Sequence, residues 1–388
     1  MPGEVTGGGL AAVDKYYQDY GSRARKLKKQ GKPIIGYLCA FTPVEIIAAA
    51  GFIPFRIKGD VNEPITKADT EMETIVCPLV RSCFDMALKG KYEFLDGIVI
   101  PHACDSISRT YDVWKNTLNL PYSHLINMPH STDEPSLNFY KALLGTFRKS
   151  LSKFAGKEIS DQSLTQAVKL YNQNRAKVRE LYELRKASPP LISGAEVARL
   201  LIASVSMPVE EATKLIASVI KEVKQRKAVP AAKPARIMLV GAQVDDVAFI
   251  DLIEDSGAWV VADDLCPGAR EFMADVTVTA NPIDGIAERY LRKIKCGRTF
   301  IERKGSYPDY LEERFGHIGR FIKDFKVDGV VLYIYKYCDP YGFDVPSMKS
   351  YIESVGAPVL YLEDEYSMST IGRLRTRIQA FLEVLGSK

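Results

Sequence analysis

Three short stretches of this sequence put a cysteine where a thiol can do chemistry: CPLVRSCFD beginning at Cys77, PHACDS around Cys104, and KYCDPYGFDVP around Cys338. A thiolate is both a nucleophile and a soft metal ligand, and either role needs something nearby that favours loss of its proton. Cys338 has no second cysteine close in sequence for a disulfide or a zinc knuckle. The remaining cysteines are Cys39, Cys83, Cys266 and Cys296. An odd, scattered set of seven, in a chain whose MPGEVTGGGLAAVDKYY start lacks the apolar core of an export signal, argues against a disulfide framework. Each thiol is then a buried small hydrophobe, a reactive group, or a metal ligand gathered from distant parts of the fold. For any one of them alone, packing is the default.

The matched contexts change that balance. Cys104 and Cys338 are each followed by aspartate, each close an apolar run of strand length, and each precede a helical stretch. Cys77 follows the short run ETIV, so it too can occupy a strand-to-helix turn, at or near the start of a helix where backbone N–H groups and the helix dipole favour a thiolate. Cys83 lies inside that helix and reads as packing. Three thiolates at three turns make an incomplete tetrathiolate cage. Zinc usually completes such a cage with histidine, but His102, His124, His130 and His317 show no zinc-ligand spacing and HExxH is absent. A [4Fe–4S] cluster suits soft thiolates equally well, and three ligands would leave one iron open to water, a sulfur species or a substrate oxygen.

The elements that must hold these thiols follow βαβ grammar. PIIGYLCA reads as a strand and TPVEIIAAAG as a helix, with Thr42 as its cap, Pro43 in its first turn and Gly51 at its end. FIPFRI, LDGIVIP and YSHLINMP continue as strands, with helices around 78–88 and 106–117. From about Thr132 to Val229 the pattern turns to long amphipathic helices, and KAVPAAKPA reads as a linker. Alternation returns in ARIMLVGA, WVVADD, VDGVVLYIY and APVLYLE. The expectation is an α/β protein with two Rossmann-like or flavodoxin-like parallel-sheet lobes joined by a helical section. The divisions are 1–132 with Cys77 and Cys104, 133–232, and 233–388 with Cys338. FLDGIVIPHACDSISRTYDVWK and KVDGVVLYIYKYCDPYGFDVPSMK echo one another, as two halves of a duplication would. Ligands of open parallel sheets bind at the carboxyl ends of the strands, so facing lobes would aim both thiols into the cleft between them.

Composition bounds the function. The 388 residues are 46% hydrophobic and 26% charged, which suits two or three domains with a sizeable core. A net charge of +4 with dispersed lysines and arginines gives no reason to expect nucleic acid or a membrane surface as partner. No apolar run reaches membrane-span length, and a cytoplasmic protein is expected.

CPLVRS, PHACDS and KYCDPYGFDVP, with TPVEIIAAAGFIPFRI near the start and RLRTRIQAFLEVL near the end, resemble the benzoyl-CoA reductase and 2-hydroxyacyl-CoA dehydratase family. The likeness runs from about Ile34 to Leu385 and is strongest to the C subunit of ATP-dependent benzoyl-CoA reductase. It implies that Cys77, Cys104 and Cys338 hold a [4Fe–4S] cluster between the lobes and that the chain pairs with a related cluster-bearing subunit. It also implies separate ATP-hydrolysing activator subunits fed by reduced ferredoxin. The chain fits that division, because it has no GxxxxGK[ST] loop and hence no ATP site of that kind. The implied reaction is two-electron reduction of benzoyl-CoA to a cyclic dienoyl-CoA. Dehydratase relatives instead recycle one electron and lose a hydroxyl group through a ketyl radical, with the same fold and cluster. The reading from another class is a bilobed small-molecule binding protein whose cysteines only pack.

Other residues weigh less. Glu363, Asp364 and Glu365 follow a strand, and Glu363 or Glu365 is a candidate proton donor beside an acidic helix start that explains them equally. Asp105 and Asp339 read as helix caps. Arg81 reads as an exposed helix residue, and Arg373, Arg375 and Arg377 as a solvated face that could instead meet CoA phosphates or a partner. Tyr333, Tyr335, Tyr337 and Tyr341 could shape an apolar pocket. Cys266 could line the cleft but packs by default, Cys39 and Cys296 read as structural, and GGGLAA reads as a flexible end.

Overall fold

The computed structural model describes residues 9–226 and 235–386. The chain opens with α1 (Leu10–Gln18) and α2 (Ser22–Lys29). The first lobe follows as β1 (Ile34–Tyr37), α3 (Val44–Ala49), β2 (Ile53–Arg56), α4 (Pro78–Leu88), β3 (Gly97–Pro101), α5 (Asp105–Thr117) and β4 (Tyr122–Ile126). Four long helices come next: α6 (Glu134–Ala155), α7 (Asp161–Glu183), α8 (Gly194–Ser204) and α9 (Val209–Val223). The second lobe comprises β5 (Ala235–Gln243), α10 (Ala248–Asp255), β6 (Ala258–Cys266), α11 (Ala269–Phe272), α12 (Pro282–Glu288), α13 (Tyr307–Asp324), β7 (Gly329–Tyr335), α14 (Asp339–Ser354), β8 (Val359–Asp364) and α15 (Ile371–Gly386).

The strand orders are β2-β1-β3-β4 and β6-β5-β7-β8, and every pairing is parallel. The two-lobed α/β expectation therefore holds, and the two sheets share one topology. All seven residues of β7, GVVLYIY, are buried, as a central parallel strand covered on both faces requires. The long helices of the middle section start at side-chain caps: Asp133 and Ser160 accept the capping bonds of α6 and α7, and Ser193 with Glu196 forms a capping box on α8.

The start of α3 departs from expectation. Pro43 is its cap residue, and the Thr42 hydroxyl donates back to the Leu38 carbonyl at 2.8 Å. Gly51, at φ 89, ends the helix in the left-handed region as expected. The GGGLAA stretch begins outside the described residues, but Leu10 onward is helical and Ala12 and Val13 are buried. Of the 227–235 stretch read as a linker, only Ala235 is described, as the first residue of β5.

One apolar core crosses from lobe to lobe, joining Phe55, Phe84 and Ile98 to Ile237, Leu239 and Tyr333. A second joins Ile35, Val99, Leu144 and Val168 to Ile286 and Tyr290, so the 282–294 region packs against the outer face of the first sheet. Buried polar contacts fix the same junction. Arg56 at the end of β2 pairs with Glu271 and donates to Gln243 at 2.9 Å; Asp245 accepts from Gly59 N–H at 3.1 Å and from the Tyr366 hydroxyl at 2.7 Å. Residues at the strand ends of both sheets are thereby held in one fixed relation.

Candidate functional site

Three helices begin with a cysteine in the cap position. Cys77 caps α4, Cys104 caps α5 and Cys338 caps α14. Serine, threonine, aspartate or asparagine is the usual occupant, because its oxygen accepts from the first-turn amides. None of these three cysteines makes a side-chain capping bond. A sulfur, a weaker acceptor than the usual cap oxygen, stands at each of these three helix N-termini.

All three sulfurs line one cavity of about 80 Å³, together with Leu79, Val80, Ala103, Ile107 and Ala242 from the two lobes. Cys104 arrives from the exit of β3 and Cys338 from the exit of β7, the third strand of each sheet by sequence. In both sheets that exit borders the point where the strand order reverses, the crevice in which doubly wound sheets bind ligands. Cys77 arrives by a different route. ETIV before it forms turns rather than a strand and leaves Ile75 68% exposed.

Burial pushes all three thiols above their usual range. The amides of Leu79 and Val80 act against that shift at Cys77, as do those of Ile107 at Cys104 and Tyr341 at Cys338. At Cys338 the neighbouring Cys77 and Cys104 add to the rise. Left alone, these thiols keep their protons. Metal binding would release such thiol protons and relieve the mutual repulsion of the thiolates.

No group of three or more Cys, His, Asp or Glu side chains among the described residues is arranged to hold a single metal ion. An iron–sulfur cluster makes a different demand, since its several irons take separate thiolates. Three free thiols brought to one apolar cavity by three different helices fit that demand.

A family model for the 2-hydroxyglutaryl-CoA dehydratase D-component matches residues 39–385. This chain belongs to that family. Across 385 residues it is 26% identical to the (R)-phenyllactyl-CoA dehydratase beta subunit of Clostridium sporogenes, covering 97% of this chain and all of that one. It is 25% identical to the C subunit of benzoyl-CoA reductase from Thauera aromatica, covering 93% and 95% of the two chains. Against the (R)-2-hydroxyglutaryl-CoA dehydratase beta subunit of Acidaminococcus fermentans the identity is 23%, over 93% and 94%.

This member of the D-component family brings more thiols together than its sequence suggested. Cys39, Cys266 and Cys296 line the same cavity, so six of the seven cysteines face it. Cys83 is the exception, buried within α4 among apolar neighbours as expected. Cys39 follows β1 with φ 67, a left-handed conformation unusual for a residue with a side chain. Its strand-exit position was the available signal, equivalent to those of Cys104 and Cys338. Cys266 is the last residue of β6, and burial raises its pKa to about 12. Cys296 sits in an irregular segment whose place no periodicity could give. Gln243, Arg270 and Arg298 also line the cavity and carried no sequence signal.

Several expected site residues lie elsewhere. Glu363 and Glu365 are exposed, are not among the cavity-lining residues, and Glu365 pairs with Lys336. Asp364 is buried and accepts from the Tyr333 hydroxyl at 2.8 Å. Arg377 donates to the Tyr361 carbonyl at 2.9 Å, and Arg373 lies 3.8 Å from Asp364, so two of the three final-helix arginines brace β8. Asp105 and Asp339 are the first helical residues rather than the caps, because the cysteines hold the cap positions. Arg81 pairs with Asp69 and donates to the Val76 carbonyl at 3.1 Å, which steadies the turn before Cys77. Of the four tyrosines, Tyr335, Tyr337 and Tyr341 line the cavity.

Proposed function

We propose that this chain is the iron–sulfur subunit of an acyl-CoA-converting complex, with Cys77, Cys104 and Cys338 each ligating one iron of a [4Fe–4S] cluster. The observation that carries this is the convergence of three cap cysteines on one apolar cavity. Such a cluster supplies single electrons at low potential. The chain's own residues do the rest. First-turn amides stabilise the thiolates, Leu79, Val80, Ala103 and Ile107 exclude water, and Tyr335, Tyr337 and Tyr341 shape the wall on the α14 side.

For the reaction, we carry forward two-electron reduction of benzoyl-CoA, supported by the likeness to the C subunit of benzoyl-CoA reductase; the three cysteine contexts suit this reading and the next one equally. Dehydration of a 2-hydroxyacyl-CoA is the second reading, supported by the matching family model and the phenyllactyl-CoA dehydratase relative. Both call for a related cluster-bearing subunit, an ATP-hydrolysing activator and a ferredoxin-type donor, with the complex in the cytoplasm. Among the described residues no helix is long and apolar enough to cross a membrane. The divisions at 1–132, 133–232 and 233–388 are proposed as the working domains.

Iron and acid-labile sulfide in the anaerobically purified chain test the cluster, and their absence, with no broad visible absorption, would refute it. The reconstituted complex, supplied with activator, ATP and a low-potential donor, tests the reaction. Turnover of benzoyl-CoA supports the first reading; dehydration of a 2-hydroxyacyl-CoA without it supports the second.

A further inference from the structure

The thiol cavity contains a cation with nothing to balance it. Arg298 is 4% exposed and lines the cavity. Its Nη2 donates to the Pro129 carbonyl at 2.8 Å, and its guanidinium lies 4.9 Å from the centre of the Phe41 ring. Its Nε and Nη1 have no acceptor, and no carboxylate among the described residues lies within ion-pair distance. Four other buried arginines are neutralised: Arg270 by Asp264 at 3.0 Å, Arg56 by Glu271, Arg175 by Glu45 and Arg185 by Asp263 at 2.7 Å; Arg236 and Arg289, buried without an ion pair, donate to backbone carbonyls and lie outside the thiol cavity. Asp339, the acidic residue on the cavity wall, is exposed to solvent.

A buried charge without a counter-charge is costly, and one that lines a cavity can be balanced by an anion that fills it. The acidic groups around Arg298 are Cys296, Cys39, Tyr140 and Cys104, thiols and a phenol rather than carboxylates. The compensating anion must therefore occupy the cavity itself. Three thiolates on an oxidised cubane core leave a net negative charge, and one added electron increases it.

We propose that Arg298 is the counter-cation of the cluster and raises its reduction potential. This rests on the ligand assignment of the preceding section. The electron comes from the low-potential donor, no bond forms or breaks, and Arg298 offsets the added negative charge. Net charge and hydrogen bonds to sulfur are the levers by which a protein sets such potentials.

The test is a potentiometric titration, followed by electron paramagnetic resonance, of anaerobically loaded wild type, Arg298→Lys and Arg298→Met. Equal iron content, a midpoint shifted negative in Arg298→Met and a near-native midpoint in Arg298→Lys are expected. An unchanged midpoint in Arg298→Met at full iron content overturns the proposal, and weakened acyl-CoA binding alongside it would reassign Arg298 to the substrate. If Arg298→Met fails to hold iron, retention by Arg298→Lys supports the counter-cation role, and loss from both overturns it. Iron missing from wild type defeats the ligand assignment instead, and the same samples show which has failed.

Discussion

Cys104 and Cys338 occupy equivalent positions in the two halves of the molecule. Each leaves the third strand of a sheet ordered 2-1-3-4, each caps the next helix without a capping bond, and each is followed by aspartate at the first helical position. Both line the same cavity. The internal echo in the sequence is therefore an echo in three dimensions, with the two copies facing each other.

If these thiols are ligands, Cys77→Ser, Cys104→Ser and Cys338→Ser each lose most of their iron on anaerobic purification. Cys296→Ser, which alters a thiol of the same cavity outside the ligand set, and Cys83→Ala, outside the cavity, keep it. Iron and sulfide analysis of the five variants is the check. Full iron in Cys104→Ser or Cys338→Ser would sink the assignment.

Glu45→Gln should cost about 3–5 kcal/mol, because it leaves buried cations without their partner. Glu45 is fully buried, pairs with Arg175 and accepts from the Tyr290 hydroxyl at 2.8 Å. Burial alone would raise its pKa, yet Arg175 and Arg289 outweigh burial and the net shift is downward. Urea unfolding of the variant measures the cost.

Acid should weaken the wall of the cavity through Asp264. Burial raises its pKa, but Arg270 and His317 outweigh burial and hold it at about 2, against 3.8 unperturbed. Between those values the unfolded chain binds the proton and the folded one does not. This contribution, about 2 kcal/mol, is present above pH ~4 and lost as pH falls towards 2. Denaturant unfolding from pH 6 to pH 2 should show a shallower acid decline for Asp264→Asn than for wild type.

Two glycine-to-alanine changes should have opposite effects. At Gly241, in β5, a Cβ would stand 1.8 Å from the Tyr333 carbonyl oxygen of β7, so Gly241→Ala forces apart the central strand pair beneath the cavity. A loss of several kcal/mol or of soluble protein is expected. Gly145, inside α6, has nothing within 4 Å of an added Cβ, and Gly145→Ala should gain about 0.5–1 kcal/mol. Thermal unfolding of both separates the cases.

Most of the strands and long helices were legible because their signals are local. The apolar run GVVLYIY and the left-handed Gly51 each act within a few residues of themselves. ETIV misled because a short β-branched run is ambiguous until a neighbouring strand exists to pair with it, and here none does. Thr42 misled because its hydroxyl found the Leu38 carbonyl within the turn, a competition that sequence alone does not rank.

The thiol chemistry on offer, the parallel α/β class and the strand-exit positions of Cys104 and Cys338 could all be read along the chain. These follow from residue type and from periodicity along the chain. Folding in three dimensions was needed to show that Cys77 joins them by way of a turn, that Cys39, Cys266 and Cys296 face the same cavity, that Glu363 and Glu365 do not line it, and that Arg298 stands there without a carboxylate partner. The reason is physical. Whether a thiol or guanidinium faces a cavity, a carboxylate or water depends on the packing of segments hundreds of residues apart, and the Arg56, Glu45 and Asp245 contacts that fix that packing join residues with no common local pattern.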